Sequence, residues 1–241
     1  MSWLKKFEEH GYAVVEDVFT TEEVMEMKAE IERVIDGIDF DRHPKSVFST
    51  YDEDKHTVDE YFLNSSDKIR VFFEEGAFDG DGKLAVERHK ALNKIGHVTD
   101  HIDATFLYVE PIDHLVGIWI AVDDANEENG CLAFIPGSHK RSSVDYRFVR
   151  THKTDGSPLL KFNGTRPTYD QTKFVNVPIK KGSLIIIHGL VVHKSAPNLS
   201  QNSRHAYTLH VMEGKNTKWS EDNWLVSINH CDLCILSSGS G

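Results

Sequence analysis

The chain has 241 residues, 39% hydrophobic and 10% aromatic, which is enough to enclose one substantial core. Its formal net charge of −11 repels phosphates and argues against nucleic acid or an anionic membrane surface as a partner. No apolar run reaches the roughly eighteen residues of a membrane span, and three cysteines without framework spacing, Cys131, Cys231 and Cys234, suit a reducing compartment, so a soluble cytoplasmic protein is expected.

Ser2 is placed to cap a first helix through His10, with Gly11 at its end and a short strand over Tyr12–Glu16. Thr20-Thr-Glu-Glu23 reads as a capping box. It opens a helix over 21–36 whose stripe of Val24, Met27, Ile31, Val34 and Ile35 faces a core. Residues 37–60 are polar and acidic and predict an irregular loop. The alternation Ile69, Val71, Phe73 predicts a strand, and Asp79-Gly-Asp-Gly82 a turn. That turn is no calcium loop, because Lys83 and Lys90 stand at the fifth and twelfth positions from Asp79. Short β-like runs follow near 105–110, 115–122, 131–135, 173–177, 183–193 and 204–212, and their Gly, Pro, Asn and Asp boundaries predict an antiparallel sandwich or barrel.

Between these runs lies the chemistry. In extended backbone residues i and i+2 share a side, so His101 and Asp103 can grip one ion while Ile102 faces away. His193, in the apolar run Leu184–Val192 and beyond, supplies a third ligand. Two imidazoles and one carboxylate leave other metal positions open, which suits ferrous iron and oxygen chemistry. Ser195 follows His193 by two positions and Arg204 by eleven. A guanidinium fork there matches the far carboxylate of 2-oxoglutarate, with the Ser195 hydroxyl beside it. His188 and His139 are rival ligands without that downstream pair. His97, Asp100 and His114 read as loop or supporting residues. Lys140, Arg141, Arg147 and Arg150 form a basic stretch best read as a solvated loop. The long, aperiodic segment 140–172 leads out of Pro136-Gly-Ser-His139 and is expected to shape substrate access. Cys231-Asp-Leu-Cys234 beside His230 has no second pair to complete a zinc site.

The stretches Asn93-Lys-Ile-Gly-His97, His101-Ile-Asp-Ala-Thr-Phe-Leu-Tyr108, Gly117-Ile-Trp-Ile-Ala121, Glu128–His139 and His188-Gly-Leu-Val-Val-His-Lys-Ser195 resemble the phytanoyl-CoA dioxygenase family, most closely its branch of domain-containing proteins. The resemblance covers about residues 3–225. It implies a mainly β fold with flanking helices, a double-stranded β-helix of the jelly-roll or cupin-like kind. It implies Fe(2+) held by His101, Asp103 and His193. It also implies 2-oxoglutarate held by Arg204 and Ser195, with Lys94 and Trp119 lining its pocket. The activity implied is hydroxylation of a small, hydrophobic or acyl-type molecule with release of succinate and carbon dioxide. A monomer is expected.

Family members carry several tens of residues between the Asn-Lys-Ile-Gly-His segment and the His-x-Asp, whereas here Val98, Thr99 and Asp100 alone intervene. Losing a strand from a closed barrel opens an edge or leaves backbone groups unpaired. The expected domain is therefore 1–225, with a barrel that is allowed to lack one strand, and 226–241 reads as a divergent flexible tail. An alternative is a catalytically impaired, dioxygenase-like binding protein. A zinc hydrolase on the same ligands lacks an obvious carboxylate base.

Overall fold

The Ser2 side chain accepts a hydrogen bond from the Lys5 amide and starts α1 (Trp3–His10), which Gly11 ends in the left-handed region at φ 84°. β1 (Tyr12–Val15) follows. At α2 (Thr21–Asp36) the Thr20 hydroxyl accepts from the Glu23 amide, while the Glu23 carboxylate accepts from the Thr20 amide. Val24 and Ile35 of its apolar stripe are buried and Met27, Ile31 and Val34 are half-buried. The structure is a computed structural model and describes residues 2–46, 61, 71–73, 76–86, 91, 98–151, 159–225 and 235–237.

The strands that follow are β2 (Val98–His101), β3 (Val109–Glu110), β4 (Leu115–Ala121), β5 (Leu132–Phe134), β6 (Arg147–Arg150), β7 (Leu160–Asn163) and β8 (Val175–Asn176), then β9 (Leu184–His188), β10 (His193–Ser195), β11 (Ala206–Met212), β12 (Lys218–Trp219) and β13 (Ile235–Ser237). They build two antiparallel sheets, ordered β1-β9-β4-β11-β13 and β2-β10-β5-β8, with two-stranded ribbons β3–β12 and β6–β7 beside them. Trp119, Ile185, Ile187 and Ala206 of the first sheet share one core with Leu132, Phe134 and Val191. Fully buried chains such as Phe134 and Ile185 each stabilise the sandwich by about 2 kcal/mol. This is the mainly β, double-sheet architecture of a jelly roll.

The run 183–193, expected as one strand, is two. β9 ends at His188 in the first sheet, the chain turns, and β10 begins at His193 in the second. Gly189 makes the turn possible: a Cβ there would lie 2.8 Å from Leu115 Cβ and 2.9 Å from Leu115 O. Other expectations shift as well. Residues 103–105 form a 3-10 turn, so the run near 105–110 shortens to β3. Among the described residues Phe73 bonds through its amide to Ser46 O instead of joining a named strand; Ile69 lies outside them. The Asp79–Gly82 turn is present, closed by the Phe78–Leu84 bridge. Residues 235–237, inside the stretch read as a flexible tail, pair with β11 and cover its outer edge. The Cys231-x-x-Cys234 motif lies outside the described residues.

Candidate active site

His101 and His193 face each other across the antiparallel β2–β10 pair. Ile102 is extended at φ −121° and ψ 143°, which returns Asp103 to the side of His101 before the chain enters its 3-10 turn. The Ala104 amide donates to Gly189 O at 2.9 Å and ties that turn to the β9–β10 crossover. Asp103 Oδ1 then lies 3.5 Å from His101 Nε2 and 3.6 Å from His193 Nε2. Among the described residues these three are the group able to hold a metal ion, with ligand atoms within 4.8 Å of one another.

Both imidazoles are set for the task. His101 Nδ1 donates to Thr99 O at 2.7 Å and His193 Nδ1 to Val191 O at 3.1 Å, which leaves each Nε2 lone pair aimed inward. His193 is stacked on Phe134, and burial, followed by the neighbouring His101, lowers its pKa to about 4, so its imidazole is neutral at physiological pH and able to act as a ligand. Burial alone would raise the Asp103 carboxyl, but His210, His193 and His101 hold it well below the usual range and therefore ionised. The separations fit one ion about 2 Å from each donor. An anionic oxygen with two imidazole nitrogens, closed by aromatic neighbours on one side, is the donor set for a divalent first-row metal.

Sequence reasoning missed His210. Its Nε2 lies 3.2 Å from Asp103 Oδ2. The signal was in the alternation Ala206, Thr208, His210, which the β4–β11 register sets against Ala121, Trp119 and Gly117 on the interior face.

Ser195 lies on the same buried face of β10 as His193. Arg204 is 3% exposed, with Cζ 5.9 Å from the centre of the Trp119 ring. It does not open a strand, since β11 begins at Ala206; it sits in the connection before it. Asp123 fixes that connection by accepting from His205 N at 2.9 Å, His205 Nδ1 at 2.6 Å and Lys28 Nζ of α2 at 2.7 Å. Burial lowers the Arg204 pKa to about 10, still above physiological pH, so the guanidinium remains charged in its apolar setting. Lys94 and His97 lie outside the described residues.

The rival histidines stand elsewhere. His139 and His188 lie against each other at 4.9 Å between ring centres, with His139 Nε2 toward Glu8 O and His188 Nδ1 accepting from the Leu190 amide. His114 Nδ1 meets Thr217 Oγ1. Asp100 accepts from Gln171 Nε2. The segment 140–172 is not aperiodic throughout: β6 and β7 form a hairpin whose Phe148 and Phe162 pack on Phe106, itself edge-on to His101 at 5.8 Å. Arg147 and Arg150, read as solvated, are half-buried. Arg147 lies 3.9 Å from the Tyr108 ring centre, and Arg150 Nη2 donates to Trp224 O.

The model of the family described as phytanoyl-CoA dioxygenase (PhyH) matches residues 7–101 and 92–206. The Caenorhabditis elegans phytanoyl-CoA dioxygenase domain-containing protein 1 homolog is 58% identical over 92% of this chain and 93% of its own. For the Rattus norvegicus protein of that name the identity is 39% over 93% and 94%. The C. elegans alignment runs to 269 positions, several tens more than this chain contributes, and the two family matches meet at 92–101, where the spacing before His101 is short. Among solved structures, the epimerase SnoN in complex with Fe3+, alpha ketoglutarate and nogalamycin RO has a TM-score of 0.56 at 17% identity, over 98% of this chain and 93% of its own. EvdO2 from Micromonospora carbonacea var. aurantiaca complexed with 2-oxoglutarate gives 0.51 at 16%, over 92% and 95%. These two establish the shared fold, a double-stranded β-helix. On the family match and the relatives' identity, the chain belongs to the phytanoyl-CoA dioxygenase family.

Proposed function

We propose that the protein is an Fe(II)- and 2-oxoglutarate-dependent dioxygenase that hydroxylates a small, hydrophobic or acyl-type molecule in the cytoplasm. The observation that carries this reading is the convergence of His101, Asp103 and His193, tautomers already set, in one interior with a buried guanidinium. Ferrous iron and 2-oxoglutarate supply oxidative decarboxylation to succinate and carbon dioxide, coupled to oxygen insertion into the substrate. His101 and His193 would give the metal their Nε2 nitrogens, and Asp103 the negative charge. Arg204 and Ser195 bind the far carboxylate of 2-oxoglutarate, and Trp119 walls the guanidinium from water. Lys94 is assigned to the same pocket on family resemblance. Phe106 and the β6–β7 hairpin screen the His101 side and shape substrate access.

The test is succinate formation by the full chain with Fe(II), 2-oxoglutarate and oxygen. Turnover in the wild type that collapses in His193→Ala supports the reading; equal rates in both sink it. A second reading, a binding protein with impaired turnover, is favoured by the several tens of aligned positions that this chain does not fill. It predicts 2-oxoglutarate and metal binding without succinate.

A further inference from the structure

Asp103 divides its two oxygens between two tasks. Oδ1 is the atom 3.5 and 3.6 Å from the two ligand nitrogens, whereas Oδ2 points the other way, 3.2 Å from His210 Nε2. His210 lies on β11 opposite Gly117 of β4. A Cβ at position 117 would lie 3.0 Å from Asp103 Oδ2 and 3.5 Å from His210 Cδ2, so glycine there makes room for the carboxylate and imidazole to meet. Among the described residues His210 Nδ1 is buried with no hydrogen-bond partner. A proton on Nδ1 would bury an unpaired donor and turn a lone pair toward the carboxylate, so the proton belongs on Nε2, donating to Oδ2.

We infer that His210 is a positioning residue: by holding Oδ2 it would keep Asp103 a one-oxygen donor, with Oδ1 turned toward His101 and His193. The inference rests on the metal-site reading above and adds a residue from a different sheet from His101 and His193. Without the His210 hydrogen bond the carboxylate is free to rotate, lose its aim or close on the ion with both oxygens. Supporting groups of this kind typically govern about ten- to a hundredfold in metal affinity.

The test uses Co(II) as probe with the full-length protein, read by equilibrium titration and by visible absorption, whose intensity changes with coordination number. His210→Leu is expected to weaken Co(II) binding about tenfold or more and to alter the bands, while His210→Gln, whose amide nitrogen reaches the same oxygen, is expected to restore both. Should the Leu variant fail to fold, His210→Asn, whose amide stops short of Oδ2, takes its place. Wild-type affinity and bands in the Leu or Asn variant overturn the inference. So does equal weakening in the Gln and Leu variants together with a matching loss of metal-free thermal stability, which marks a packing role. A wild type that binds no Co(II) overturns the metal-site reading itself, and this inference with it.

Discussion

The two ends of the interior are made differently. At the metal end, three donors are oriented mainly by short local contacts: each imidazole is bonded to a carbonyl two residues before it, and the carboxylate comes from a turn tied to Gly189. At the Arg204 end the functional group sits in a connection, and its place depends on α2 through Lys28, on Asp123 after β4, and on His205. The metal end should therefore lose function sharply and locally when a donor is removed. The Arg204 end should lose it gradually as supports are withdrawn from a distance.

The largest expected effect is at the donors. Asp103→Ala or His193→Ala is expected to abolish Fe(II)-dependent succinate formation, because a metal donor is removed, while a cooperative thermal melt shows that the metal-free protein still folds. Retained turnover in either variant breaks the comparison at its stronger end. Next is Arg204→Ala. Loss of a charge-assisted pair to a carboxylate costs about 3 kcal/mol, so KM for 2-oxoglutarate is expected to rise by roughly a hundredfold, and Arg204→Lys to recover only part of it. Unchanged KM in Arg204→Ala would move the carboxylate clamp elsewhere.

Asp123→Asn tests the remote support. The carboxylate holds Lys28 and two donors of His205, although burial alone would push its pKa up, and their hydrogen bonds keep it ionised well below its usual range. Its neutral replacement is expected to destabilise the fold by on the order of 1–2 kcal/mol and to raise KM for 2-oxoglutarate several-fold, with metal affinity unmoved. A fall in Co(II) affinity equal to the rise in KM would erase the distinction between the two ends. The smallest effect is at His188, away from both. Burial, then the adjacent His139, lowers its pKa to about 4. Between about pH 6.5 and 4 the unfolded chain binds the proton and the folded one does not. Stability is thus full above about 6.5 and falls as pH drops toward 4, by an amount that solvent at the half-buried ring keeps small. His188→Asn keeps an acceptor for the Leu190 amide and is expected to flatten that slope in urea melts; an unaltered slope assigns it to other groups.

Much of this site was legible in the chain because local rules fix it. The period of two in extended backbone puts His101 beside Asp103 and His193 beside Ser195, and the capping residues Ser2 and Thr20 mark both helix starts. The family motifs carried the fold. Alternation along 206–210 put His210 on the inner face, but its pairing with Asp103 was not legible, because that runs through the β4–β11 register and the missing side chain at Gly117. The break between β9 and β10 is marked in the sequence by His188-Gly189 alone, inside an otherwise apolar run, and the change of sheet follows only once Leu115 lies against Gly189.

By itself, then, the sequence determined which donors exist and which neighbours share a face, since both follow from residue type and backbone period. Tertiary structure alone decided that the run 183–193 changes sheets, that Arg204 waits in a connection held by Asp123, and that Oδ2 of Asp103 belongs to His210. Those outcomes depend on contacts between residues far apart in the chain, where packing and desolvation, not local propensity, select the arrangement.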